Sequence, residues 1–171
     1  MNDVSLESSV LEDASLGPLQ KALLVTDGTL TQLLEAFSGE KIRVHKLGQS
    51  LVQGGPALLA VPAEEPVICR RILLRGDRRV YLHAESWLVP ARMPREMVDA
   101  LANTDTPMGR LWKAARLETF REIVDFRRET NPEISALLGG SATILARSYV
   151  LHRRDLPMSL VSERFPADLF T

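Results

Sequence analysis

The stretch Val67-Ile68-Cys69-Arg70-Arg71-Ile72-Leu73-Leu74-Arg75, followed by Gly76-Asp77 and then by Arg79 to Val89, decides the fold class. Both runs are rich in aliphatic and β-branched side chains and flank a glycine-containing turn, the pattern of a β-hairpin. Pro90 closes the second run because proline cannot donate to a strand ladder. The pattern recurs in Thr143 to Arg153 and Pro157 to Phe165, across Arg154-Asp155. Ile42 and Val44, alternating with Lys41, Arg43 and His45, predict a further strand, and residues 117–126 predict another.

Helical signals lie between the strands. Leu30, Leu33, Leu34 and Phe37 recur at helical spacing, with Asp27 or Thr29 as N-cap and Gly39 as the stop. Pro94 opens a short helix carrying Met97, Val98 and Leu101, and Thr106-Pro107 opens one carrying Met108, Leu111 and Trp112. Gln53-Gly54-Gly55-Pro56 begins an irregular stretch that ends near Pro66. Two hairpins with interspersed short helices predict an α+β fold, an antiparallel sheet with helices on one face.

The chain has 171 residues, 45% hydrophobic and 25% charged, which suits one globular domain. Its formal net charge is −1, unevenly placed. Residues 1–18 hold Asp3, Glu7, Glu12 and Asp13 without Lys or Arg, so the remainder carries +3. That segment is expected to be a mobile or loosely docked acidic arm, with the domain running over 19–171. A balance of +3 is too small for binding nucleic acid through its phosphates. No apolar stretch approaches the ~20 residues of a membrane span, and no secretory pattern opens the chain. The single cysteine, Cys69, excludes an internal disulfide and a cysteine-built metal site, so a reducing cytoplasm is expected. His45, His83 and His152 lack metal-ligand spacing. Gly54-Gly55 and Gly139-Gly140 lack the Lys-Ser/Thr of a phosphate loop. No Gly-x-Ser-x-Gly elbow is present. Arginine outnumbers lysine 17 to 4. Its planar fork suits carboxylates, but GC-rich coding gives the same bias.

Strand parity singles out two charges. In 67–75, Arg70 shares a face with Ile68, Ile72 and Leu74. In the last strand, Glu163 shares a face with Ser159, Val161 and Phe165. A buried arginine must be paired, and a buried carboxyl is either pushed up by desolvation or held ionised by an arginine. The two can satisfy each other as a structural salt bridge, or both can face a cavity that takes an anionic substrate.

Five blocks, in order, resemble the chorismate pyruvate-lyase family over roughly residues 20–168. They are Leu23-Leu24-Val25-Thr26-Asp27-Gly28-Thr29-Leu30-Thr31, Arg70-Arg71-Ile72-Leu73-Leu74, Thr106-Pro107-Met108-Gly109-Arg110, Ala146-Arg147-Ser148 and Ser162-Glu163-Arg164-Phe165-Pro166. Asp105 to Leu111 followed by Arg116-Leu117-Glu118-Thr119 resembles the divergent bacterial branch of that family. Arg71 departs from the family's usual Glu, and Glu-Arg-Phe-Pro from its Glu-Leu-Phe-Leu-Pro.

The resemblance implies a sheet with helical flaps over a buried site, and cofactor-free conversion of chorismate to 4-hydroxybenzoate and pyruvate. It puts the substrate-anchoring arginine on Arg70, the acidic residue on Glu163, a ligand-contacting apolar residue on Met108 and an apolar flap residue on Leu30. Glu163 is expected to assist at the ether oxygen as an acid or hydrogen-bonding partner. The expected partner is a small chorismate-like dicarboxylate, with no nucleic acid and no membrane, on a monomer or weak oligomer. Two other readings stay open: a non-catalytic aromatic-acid binding module, and a sibling enzyme acting on a related cyclohexadiene or aromatic acid. The fold is shared with effector-sensing domains of bacterial regulators, whose DNA-binding domain of ~60 residues exceeds what an 18-residue arm can form.

Overall fold

A computed structural model describes residues 6–27 and 29–170; residues 1–5 (with Asp3), Gly28 and Thr171 lie outside the described residues. Six strands form one antiparallel sheet: β1 Arg43–Gln53, β2 Pro66–Arg75, β3 Val80–Leu88, β4 Phe120–Glu129, β5 Ile144–Arg153 and β6 Leu156–Pro166. Their order is β1-β2-β3-β6-β5-β4, so the β3–β6 pairing joins the N-terminal half to the C-terminal half. Both anticipated hairpins form. In the second, Arg154 and Asp155 both have positive φ, 50° and 61°. Two such residues make the tight turn whose twist matches antiparallel strands, and they set Arg153 opposite Leu156.

The site-bearing face of the sheet is covered by helices in two groups. α1 (Leu6–Glu12), α2 (Pro18–Val25) and α3 (Leu30–Ser38) cover one end. Leu24, Leu30 and Leu34 pack there on Leu74, Leu82, Leu145 and Phe165. α4 (Arg95–Asn103) and α5 (Met108–Ala114) cover the other, where Met97, Leu101 and Trp112 meet Ile68, Leu88, Tyr149 and Val161. Gly39 ends α3 with φ 67°, a left-handed conformation that glycine adopts without a Cβ penalty. On the reverse face a 3-10 turn at Ala57–Leu59 packs beside Val67 and Trp87. The short α6 (Pro132–Leu137), capped by Asn131 accepting from the Ile134 amide, packs against Ile144.

Residues 6–18 are less loose than their composition suggests. Val10 and Leu16 are 5% and 8% exposed within the first cluster. The Lys21 ammonium donates to the Leu11 carbonyl, and Arg128 of β4 donates to the Ser15 hydroxyl while its Nη2 lies 3.7 Å from the Asp13 carboxylate. Two apolar residues on one short helix and the turn after it are too few to show a period. They suffice to dock the segment where a sheet corner is already built.

Candidate active site

Alternation along the strands brings Arg70, Ile72 and Leu74 of β2, Ala84 and Ser86 of β3, and Val161 and Glu163 of β6 to the helix-covered face. The register sets Arg70 opposite Ser86, and Glu163 between Ala84 and Arg147. Above these residues lies a cavity of about 70 Å³. Its floor includes Ile72, Ser86, Val161 and Glu163, and its roof is the start of α3 (Leu30, Thr31) together with Met108 and Trp112 of α5. Leu30, Met108 and Glu163, all singled out in the sequence, therefore meet at one cavity. Arg70 flanks it, one alternation along β2 from Ile72.

The roof is tied across. Glu35 of α3 accepts from Arg110 of α5 at 2.7 Å and from the Ile42 amide at 3.1 Å. Burial opposes its ionisation, but these bonds outweigh burial and hold the carboxyl below its usual range. Gly109 sits against the start of α3: a Cβ there would meet the Thr29 methyl at 3.4 Å, about van der Waals contact.

The two charges do not pair with each other. Glu163, 7% exposed, accepts from Arg147 Nε at 2.7 Å and from the Tyr149 hydroxyl at 3.0 Å. Burial, then the Glu163 carboxylate, push the Tyr149 phenol well above its ordinary range, so it stays a proton donor. Arg147 is fully buried, and its Nη1 donates to the carbonyls of Leu24 and Thr26, each at 2.9 Å. Arg121 of β4 stacks on the Tyr149 ring at 4.3 Å and donates through Nη1 to the same Thr26 carbonyl at 2.9 Å.

Arg70 is 2% exposed, and none of its three guanidinium nitrogens has a hydrogen-bond partner among the described residues. Burial draws it below its ordinary pKa, opposed by the charge of Asp105. Such a group is costly to keep in the fold unless something else completes it. Arg71, next in sequence, is exposed on the reverse face. Cys69 shares that face, and burial followed by the Glu85 charge pushes its thiol up, away from nucleophile chemistry.

Sequence reasoning on single residues passed over Arg147, Tyr149 and Arg121. For Arg147 a signal existed: it is the one charge in Ile144-Leu145-Ala146-Arg147-Ser148-Tyr149-Val150-Leu151, a run that reads as a core strand. Arg121 opens a segment of mixed periodicity and carried no such mark.

A one-domain α+β chain with a sheet-floored, helix-roofed cavity and an uncompensated buried cation beside it is a small-molecule-binding domain. More narrowly, it belongs to the family described as Chorismate pyruvate-lyase Rv2949c-like, whose model matches residues 24–171. It is similar to the chorismate pyruvate-lyase of Mycobacterium leprae, 31% identical over 109 residues covering 60% of this chain and 50% of that protein. Against the chorismate pyruvate-lyase of Mycobacterium tuberculosis H37Rv it is 26% identical over 160 residues, covering 88% and 80%. The match thus spans half the length of the first relative and four-fifths of the second. Its fold is that of the effector domain of PhnF from Mycobacterium smegmatis, with a TM-score of 0.67, 18% identity, and coverage of 86% of this chain and 93% of that one. The ligand-binding domain of a GntR-family regulator from Bordetella bronchiseptica aligns with a TM-score of 0.59 at 17% identity, covering 74% and 86%. No helix among the described residues is long and apolar enough to cross a membrane.

Proposed function

We propose that this chain is a chorismate pyruvate-lyase, releasing pyruvate from chorismate to leave 4-hydroxybenzoate. The observation that carries the reading is Arg70, a buried guanidinium without a hydrogen-bond partner among the described residues, two residues along β2 from Ile72 in the cavity lining. A planar carboxylate completes such a group with two parallel, charge-assisted hydrogen bonds. The ring carboxylate of chorismate is of that kind. The lyase names of the relatives support the same substrate class.

The reaction balances without a redox partner. The bond from the ring to the enolpyruvyl oxygen breaks, and its electrons leave with that oxygen. The ring carbon bearing the hydroxyl loses a hydrogen, the ring becomes aromatic, and the enol carbon gains a proton as pyruvate forms. Aromatisation drives the step, so the protein's task is orientation and proton handling. Arg70 fixes the ring carboxylate. Glu163 already receives two donors, Arg147 and Tyr149, which suits it to accept: its remaining lone pairs take the ring hydroxyl and steer the departing ring proton. Leu30 and Met108 hold the ring plane and exclude water. A cavity of roughly 150 Å³ takes benzene, and this one is about 70 Å³. Entry therefore requires α3 and α5 to part.

Incubating the protein with chorismate while following pyruvate and 4-hydroxybenzoate tests the proposal. Equimolar appearance of both is expected. Pyruvate without 4-hydroxybenzoate points to a sibling reaction, and saturable binding without turnover to a binding module; either result overturns the proposal.

A further inference from the structure

Two cations on the far side of the cavity have bonding capacity that the fold leaves unused. Arg147 Nη2 and Arg121 Nε are both buried without a hydrogen-bond partner among the described residues. Arg147 is fully buried, and both guanidinium groups face the Tyr149 ring, at 5.3 and 4.3 Å. Each donates to the Thr26 carbonyl at 2.9 Å, so their Nη1 atoms lie within twice that distance of each other. One carboxylate, Glu163, serves this pair, and its ion pair is with Arg147 alone. Arg70, whose charge is opposed by Asp105, is the third guanidinium group with unused bonding capacity on this side of the sheet.

Arg121 also occupies the boundary between inside and outside. It lines the inner cavity, and it lines a wider open cleft that shares Thr29, Gly109 and Trp112 with that cavity. The outer cleft adds Asp27, Lys113 and Arg116, with no ion pair joining Asp27 to any of these cations among the described residues. The mouth is thus net positive, which draws anions toward it. Arg70 and Arg121 stand four strands apart in the sheet order β2-β3-β6-β5-β4. At roughly 4.8 Å per strand, a small molecule fits between side chains reaching inward from each.

We infer that Arg121, braced by Arg147, is a second carboxylate subsite at the cavity mouth, and that it holds the enolpyruvyl carboxylate of the substrate while Arg70 holds the ring carboxylate. The inference rests on the lyase reading and deepens it. Two separate guanidinium sites match the two carboxylates of a dicarboxylate, and the half of the substrate that departs as pyruvate lies toward solvent. Arg121 then distinguishes substrate from the monocarboxylate product.

The test compares a dicarboxylate with a monocarboxylate. Arg121→Gln is expected to raise KM for chorismate by roughly 10-fold or more, as losing a charge-assisted hydrogen bond would. Affinity for 4-hydroxybenzoate should stay within about 2-fold, since Arg70 holds that ligand. Arg121→Lys, which keeps the charge but not the fork, should fall between and serves if the Gln variant melts early. Equal weakening of both ligands, or of neither, overturns the inference. If the wild-type protein does not turn chorismate over, the lyase reading fails, and the subsite is then decided by isophthalate against benzoate. Selective loss of isophthalate in Arg121→Gln retains it, and parallel behaviour removes it.

Discussion

Arg147 and Glu163 face each other across adjacent strands, and the arginine's Nε lies 2.7 Å from a carboxylate oxygen that solvent barely reaches. This pair takes the place of the Arg70–Glu163 bridge that strand parity left open. Arg70 is thereby left without a carboxylate partner among the described residues, and Glu163 is held in place in the cavity floor.

Glu163→Gln keeps the shape and the Tyr149 contact while removing the carboxylate. We expect kcat to fall by at least ~100-fold, and melting temperature to fall as well, because Arg147 loses its carboxylate partner. A pyruvate-release assay beside a melting curve decides it, and normal turnover would remove Glu163 from the chemistry. Arg147→Met, which strands a buried carboxylate, should instead lower stability by about 3–5 kcal/mol.

Arg70 is set apart by having nothing to lose in the ligand-free fold. Arg70→Met removes an uncompensated buried charge, so the melting temperature should hold or rise. Binding of 4-hydroxybenzoate should weaken by ~10-fold or more, the loss of a hydrogen-bonded charge. Arg70→Lys should bind weakly too, lacking the fork. Unchanged affinity in a folded Arg70→Met protein would exclude it from the site.

The strands and their faces were legible because period-2 patterns report directly on burial: Arg70 and Glu163 stood out as charges among aliphatics. Their partners were not legible. Which arginine meets Glu163 depends on β5–β6 register and on the Leu24 and Thr26 carbonyls, and neither is written in local periodicity. α2 and α6 escaped for another reason. Each is 8 residues or fewer and draws its stability from contacts made elsewhere in the chain.

The N-terminal segment gives a stability prediction. A chain starting at Leu19 loses the buried Val10 and Leu16 side chains, each worth about 1.5–3 kcal/mol. Its melting temperature should drop by at least ~6 °C. An unchanged melt would show that the segment contributes nothing despite its packing.

His83, buried on the reverse face with Nδ1 unpartnered among the described residues, is pushed down to about 4 by burial and then by the Arg164 charge. The unfolded chain takes up its proton near pH 6.5, whereas the folded chain resists until about pH 4. The neutral ring's stabilisation is therefore full above pH 6.5 and is lost as the pH falls toward 4, by about 3 kcal/mol at most. Between pH 7 and pH 4 the wild-type melting temperature should therefore fall more steeply than that of His83→Leu, which has no ring to protonate. Parallel curves would exclude the histidine as the cause.

The Thr26 carbonyl that anchors both Arg147 and Arg121 has a consequence for how this site drifts over generations. Every amino acid brings the same oxygen to position 26, so alanine scanning is blind to this carbonyl. What selection can act on is spacing. One residue inserted or deleted between Val25 and Leu30 would carry the oxygen away from both guanidinium groups at once. Among relatives that retain the two arginines, the interval between α2 and α3 is expected to hold its length even where none of its letters agree.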